Sequence, residues 1–169
     1  MANNILITGY PGVGKTTLIK KVIANLNRNI GGFYTHERRI NGKRTGFYIS
    51  DFCGNKMVMA DVNFRTGYRV GKYGVNLEAF EIIGIKALKK AKKNSDLVVV
   101  DEIGTMELFS EKFCHILLDI FAADKPLLAT IKKRDNEFLH KLKKRKDVTL
   151  FELTINNRDK IRKLVEQNF

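Results

Sequence analysis

At 169 residues, 44% of them hydrophobic and 29% charged, the chain has the length and composition of one ordinary globular domain with a full core. No apolar run approaches the roughly 20 residues of a membrane-spanning helix, and no leader with a basic, apolar and small-residue pattern opens the chain, so a cytoplasmic protein is expected. The formal net charge of +13 is more than a small anionic ligand demands, and it concentrates at Lys86 to Lys93 and Lys132 to Lys146.

Those two stretches read either as solvated helix faces, with lysines gathered toward the C-terminal end of the helix dipole, or as a footprint for RNA or DNA. Few aromatics are interleaved with them and no nucleic-acid module motif is present, which favours solvated faces. Cys53 and Cys114 lie far apart and form no C-x-x-C pair, so buried or incidental thiols are expected. His36, His115 and His140 have no metal-ligand spacing.

Residues 3 to 17, NNILITGYPGVGKTT, carry the strongest signal. An apolar strand, Ile5 to Thr8, leads into Gly9-Tyr10-Pro11-Gly12-Val13-Gly14-Lys15-Thr16, and an amphipathic stretch follows from Thr17. This is G-x-x-x-x-G-K-[ST] in its strand-before, helix-after setting. Glycines at 9, 12 and 14 let the backbone turn its N–H groups toward one point, where the new helix adds its own free N–H groups. Lys15 then reaches the β- and γ-phosphates of a nucleoside triphosphate, and the Thr16 hydroxyl ligates Mg²⁺. The helix should run from about Gly14 to Leu26, burying Leu18, Val22, Ile23 and Leu26.

Gly31-Gly32 ends the next connection. Phe33 to Thr35 and Gly46 to Ser50 then read as strands around an Asn41-Gly42 hairpin turn, and a turn at Cys53 to Asn55 leads to Met57 to Met59. This predicts a small antiparallel β section inserted near residues 32–61. Glu37, Arg38, Arg39, Lys43 and Arg44 gather near the hairpin tip, where they keep it soluble or place one arginine over the phosphates; spacing alone favours the former. Residues 62 to 76 read as a loop with a short extended piece, and Asn76 caps a helix from about Leu77 to Lys93.

Leu97 to Val100 form a continuous apolar run ending in Asp101-Glu102, the pattern of a buried parallel strand that delivers carboxylates to its C-terminal edge. Asp101 is placed to hold Mg²⁺ opposite Thr16, and Glu102 to activate the attacking water. The plainer reading of Glu102 is a loop residue paired with a lysine. Ser110 caps a helix through Phe121, Leu127 to Ile131 form a strand, a basic helix starts near Asp135, Val148 to Leu153 form a strand, and Asn157-Arg158-Asp159 opens the last helix. Thr130 either senses the γ-phosphate or is ordinary strand chemistry. The alternation predicts an α/β fold: a three-layer sandwich around a mostly parallel central sheet.

Taken together, Gly9 to Thr17, Gly32 to Thr35 with Glu37 and Arg39, Arg44-x-Gly46-Phe47, Val70 to Tyr73, Asp101-Glu102-Ile103-Gly104-x-Met106-Glu107-Leu108 and Asn157-Arg158 are similar to the cancer-related nucleoside-triphosphatase family, also found in thermophilic microbes. The resemblance covers nearly the whole chain. It implies one P-loop domain over residues 1–169, of the additional-strand, catalytic-glutamate class; a monomer is expected. Its implied reaction is Mg²⁺-dependent hydrolysis of the terminal phosphate of ATP, GTP and other nucleoside triphosphates. Residues 9 to 17 with Asp101, Glu102, Ile103 and Gly104 would bind the nucleotide, Thr16 and Asp101 the metal. Glu102 and Lys15 would be catalytic, with Arg39 and Arg44 stabilising charge. Thr105 stands where the family pattern has lysine, and Arg38 where it has an aliphatic residue. The competing readings are a nucleotide or small-molecule kinase, a GTPase switch (Asp101-x-x-Gly104 fits, but no N-K-x-D follows) and a nucleic-acid-stimulated ATPase.

Overall fold

The computed structural model describes residues 4–169; Asn3, at the start of the phosphate-loop stretch, lies outside them. Along the chain come β1 (Asn4–Thr8), α1 (Lys15–Asn25), β2 (Ile30–Ile40), β3 (Lys43–Asp51), β4 (Lys56–Asp61), β5 (Arg69–Val70), β6 (Tyr73–Val75), α2 (Leu77–Phe80), α3 (Lys86–Asn94), β7 (Leu97–Ile103), α4 (Glu111–Ala122), β8 (Leu127–Ile131), α5 (Glu137–Lys143), β9 (Val148–Glu152) and α6 (Arg158–Glu166). A π-helical turn, Glu81–Ile85, joins α2 to α3, and a 3₁₀ turn, Glu107–Phe109, precedes α4.

The nine described strands form one sheet in the order β5-β6-β4-β3-β2-β7-β8-β1-β9. β2, β7, β8, β1 and β9 are parallel, and the antiparallel strands continue the same sheet beyond β2. The hinge between the two halves is β2. Residues Ile30 to Tyr34 pair in parallel with β7, and Phe33 to Ile40 pair antiparallel with β3. The antiparallel section is therefore an extension of the central sheet.

Strand alternation sets the layers. Leu6, Val98, Val100, Leu127 and Ala129 face one core with Phe80, Leu88, Phe113, Leu117 and Leu139, which belong to α2 through α5. Their neighbours Ile5, Ile7, Leu97, Val99 and Leu128 face the other core, closed by Leu18 and Val22 of α1 and Ile161 and Val165 of α6. Phe33, Phe80 and Phe113 meet edge-on, with ring centroids 5.4 to 5.9 Å apart, and lock β2 to the helices on the first face.

Local chemistry explains most boundaries. The Asn76 side chain accepts from Ala79 N–H and that of Ser110 from Phe113 N–H, as expected for N-caps. Asn41 and Gly42 have φ of 49° and 75°, the left-handed pair a two-residue hairpin turn requires. Gly31-Gly32 departs from the expectation. Both lie inside β2, and a Cβ on Gly32 would stand 2.0 Å from the Val99 carbonyl oxygen. Gly32 lets β2 approach β7, whereas a Cβ on Gly31 would meet Ser95 Oγ at 2.2 Å and Ala91 Cβ at 2.7 Å, so Gly31 admits the end of α3. The 62–76 stretch likewise forms a hairpin, β5 and β6, at the sheet edge.

Candidate active site

The parallel strands bring the predicted residues to one edge. In register, Leu6 of β1 and Val100 of β7 both oppose Ala129 of β8, so Asp101 and the loop after Thr8 emerge side by side with Thr130 between them. Gly9, Gly12 and Gly14 all have positive φ, and α1 begins at Lys15 directly after the Gly14 cap. Lys15 Nζ donates back to the Gly9 and Tyr10 carbonyl oxygens at 2.9 and 3.3 Å, which folds its ammonium over the loop.

Asp101 is buried, and Thr130 Oγ1 donates to its Oδ1 at 2.5 Å. Its Oδ2 is buried without a hydrogen bond. Burial pushes this carboxyl up, and the Thr130 and Thr16 hydroxyls with Lys15 and Lys20 pull it back down. Thr16 thus lies close enough to favour the carboxylate while leaving Oδ2 unsatisfied. Thr130 is accordingly a clamp on Asp101, which is neither the γ-phosphate sensor nor the ordinary strand residue that the sequence offered.

Glu102, half-buried, lines a cavity of ≈ 680 Å³ together with Gly9, Tyr10, Pro11 and Lys15. Burial raises its pKa, Lys15 lowers it, Asp101 raises it and Lys132 lowers it. A group in this setting can accept a proton from a molecule in the cavity. Ile103 points into the core, and Gly104 sits where any Cβ would meet Glu102 Oε1 at 2.7 Å and Glu107 Oε2 at 2.9 Å. Gly12, Gly14 and Thr17 face a second groove on the other side of the loop, while Val13 is buried beneath it.

Arg39 and Arg44 are not brought to this edge. Arg39 pairs with Glu37 at 2.6 Å and donates to the Gly42 carbonyl; Arg44 pairs with Glu37 at 2.9 Å and donates to the Tyr73 hydroxyl. Neither lines the cavity. Besides Lys15, the cations that do are Lys132, Lys133 and Arg134, on the loop after β8. Lys132 Nζ donates to Thr105 Oγ1 at 2.6 Å, so an ammonium stands beside Thr105 although that residue is not itself lysine. Lys133 lies 4.3 Å above the Tyr10 ring. Sequence reasoning had counted these three only as part of a basic stretch; their position just past a parallel strand was the available signal.

Glu107 is the other residue missed. It is 5% exposed, has no ion pair among the described residues, and is pushed up to about 8 by burial, then by Glu102 and Asp101. Between its ordinary 4.5 and about 8 the folded protein holds a proton that the unfolded chain has lost. Stability should therefore fall as pH rises through that window, by up to about 1.4 kcal/mol per pH unit. Glu107→Gln should be free of this loss. Urea midpoints of the two proteins at pH 5, 7 and 9 test it, and parallel profiles would refute it.

A family model for NTPases matches residues 4–165. The chain belongs to the NTPase family. Among its relatives, the nucleoside-triphosphatase THEP1 of Thermotoga maritima is 50% identical over 157 residues, 93% of this chain and 90% of that protein. The crystal structure of THEP1 from the hyperthermophile Aquifex aeolicus superposes with a TM-score of 0.87 at 39% identity, covering 96% of each chain. The solution structure of a human cancer-related nucleoside triphosphatase gives 0.82 at 32% identity, covering 98% of this chain and 96% of that one. The family resemblance read from the motifs and the α/β sandwich expected from it both hold for this NTPase-family chain. No helix among the described residues is long and apolar enough to cross a membrane.

Proposed function

We propose that this chain, an enzyme of the NTPase family, is a Mg²⁺-dependent nucleoside-triphosphatase that cleaves the terminal phosphate of ATP, GTP and other nucleoside triphosphates. The observation that supports this most is a pair of adjacent carboxylates in different settings. Asp101 is buried with an unpartnered Oδ2 near Thr16, and Glu102 opens to the cavity that Lys15 lines.

That unpartnered oxygen beside a hydroxyl suits a hard divalent cation. Thr16 and Asp101 would hold it, and it would supply positive charge against the phosphate oxygens. Thr130 keeps Asp101 in place. Lys15 exchanges its loop carbonyls for phosphate oxygens. Glu102 orients the water and takes its proton as the P–O bond forms and the bridging P–O bond breaks. Lys132 and Arg134, which line the same cavity, add positive charge toward the terminal phosphoryl group as it passes to water. Arg39 and Arg44 are left out of this scheme because Glu37 holds both. Lys15, Thr16, Asp101 and Glu102 come from one chain and one P-loop domain, which suits a monomer.

The test is phosphate release from ATP, GTP, CTP and UTP with and without Mg²⁺. Release from all four that stops when the metal is chelated supports the proposal; strict use of one base or metal-independent release would defeat it. Lys15→Ala should lose nucleotide binding and turnover together, by at least about tenfold in affinity, since a charge-assisted phosphate contact is removed.

A second reading has one observation in its favour. The ≈ 680 Å³ cavity is larger than a terminal phosphate and one water need, and Phe47, Met59, Val70 and Met106 give it an apolar wall. A phosphoryl acceptor fits there. Nucleosides and nucleoside monophosphates added to the assay should then speed ATP consumption and appear phosphorylated; water-only turnover leaves hydrolysis as the reaction.

A further inference from the structure

The antiparallel half of the sheet is covered on one face only. Phe33, Phe47, Ile49 and Met59 face the first core, over which α2, the π-helical turn and α3 pack. The second core, closed by α1 and α6, stops at Ile30 and Phe52 and takes no residue from β3 or β4. Strand alternation turns Tyr34, His36, Tyr48 and Lys56 to that uncovered side.

The rings there form a row. Tyr34 and His36 stack with centroids 5.8 Å apart, and His36 and Tyr48, paired across the strands, with centroids 5.1 Å apart. Rings at these distances are offset, so part of each face stays open, and all three are half-buried. An exposed lysine stands at each end. Lys20 Nζ is 6.0 Å from the Tyr34 centroid, and Lys56 Nζ is 4.5 Å from that of Tyr48. Neither lysine has an ion pair among the described residues. The acids of these three strands are committed elsewhere. Glu37 is held by Arg39 and Arg44, Asp61 by Arg38 at 2.5 Å, and Asp51 accepts from the Cys53 and Asn55 N–H groups. Burial, then Lys56 and Lys20, hold the His36 pKa down, so the middle ring is a neutral imidazole near pH 7. Lysines at 20 and 56 and rings at 34, 36 and 48 are scattered in the sequence, and only the folded sheet interleaves them.

We propose that this open face of β2, β3 and β4 binds a single-stranded nucleic acid, its bases stacking on Tyr34, His36 and Tyr48 and its phosphates pairing with Lys20 and Lys56. Rings on an open sheet face with cations beside them take strands whose bases are unpaired, because a duplex keeps its bases stacked inside. The formal net charge of +13 draws in any polyanion, but charge alone does not choose a single strand over a duplex. The rings make that choice. No residue of the phosphate loop belongs to this face, so the inference stands apart from the reading of the active site.

The experiment is fluorescence anisotropy with labelled RNA and DNA of one mixed sequence, about 12 nucleotides long, each as single strand and as duplex. Both single strands should bind at least about fivefold more tightly than their duplexes, and the tighter of the two identifies the natural strand. Tyr48→Leu should weaken single-strand binding roughly five- to a hundredfold, the worth of one base–ring stack, whereas Tyr48→Phe keeps the ring and should bind as the parent does. Lys56→Ala should reduce the slope of log affinity against log salt by about 0.7, one phosphate contact on a single strand. Lys15→Ala should bind the strands within about twofold of the parent, since the phosphate loop takes no part. Equal affinity for single strand and duplex, unchanged binding in Tyr48→Leu, loss of binding in Lys15→Ala, or no saturable binding at low salt would overturn the proposal. If Tyr48→Leu does not fold, as its urea midpoint reports, the salt slope of Lys56→Ala at its exposed position decides alone.

Discussion

Glu102→Gln is expected to bind nucleoside triphosphates as tightly as the parent and to turn them over roughly 10²- to 10⁴-fold more slowly, the usual worth of a positioned general base. The substitution keeps the size of the side chain and therefore its close approach to Gly104, where a Cβ would stand 2.7 Å from Glu102 Oε1. It removes only the basic oxygen. Asp101, Thr130 and Lys15 keep their contacts, so phosphate and metal binding have no reason to change. Water positioned by an amide cannot lose its proton to it, and attack must then await spontaneous ionisation. Equilibrium titration with a fluorescent nucleotide and single-turnover phosphate release measure the two quantities separately. More than a tenth of parental turnover would remove Glu102 from the chemistry. Weakened binding would mean that it helps hold the metal instead.

Gly32→Ala should destabilise the protein by about 3 to 5 kcal/mol, a large share of the 5–15 kcal/mol typical of a domain. Gly32 has φ of 113°, and an added Cβ would meet the Val99 oxygen at 2.0 Å and the Val99 carbon and nitrogen at 3.0 Å. All three are backbone atoms of the strand that pairs with it, so no rotamer change relieves the overlap. β2 would have to separate from β7, and the displacement would run into Asp101, paired with Tyr34 two residues along. Gly42→Ala is the control. Its φ of 75° is also left-handed, but a Cβ there meets nothing within 4 Å, so it should cost only about 1 to 2 kcal/mol. Urea denaturation of both variants decides the matter. A Gly32→Ala midpoint close to the control would show that the strands can part cheaply.

Those two glycines mark the boundary between what local pattern reveals and what it hides. Asn41-Gly42 is readable because the turn it makes involves only its own neighbours. Gly31-Gly32 looks equally like a turn, yet Gly32 is there to admit β7 and Gly31 to admit Ala91 and Ser95 at the end of α3, all of them far along the chain. The same distinction runs through the site. The strand, glycine loop and Lys15 are contiguous, and Asp101-Glu102 ends a continuous apolar run, so both anchors are legible from order alone. The caps at Asn76 and Ser110 are legible for the same reason.

What the chain order could not reveal is which charges end up free. Arg39 and Arg44 carry the right group, but the hairpin closes Glu37 onto both. Lys132 reaches Thr105 only because β8 lies next to β7 and is staggered against it, Lys132 N–H bonding to the Ile103 carbonyl. Glu107 lies five residues past Glu102, and only the turn at Gly104 brings its carboxylate back toward that of Glu102, since a Cβ on Gly104 would stand 2.7 Å from Glu102 Oε1 and 2.9 Å from Glu107 Oε2. Backbone and hydrophobic periodicity are properties of neighbours, so the amino-acid order alone determines the phosphate loop, the acidic strand end and the α/β alternation. Ion pairing, burial and close backbone approach depend on residues that meet only after the sheet has assembled, and they decide which of the candidate groups face the cavity.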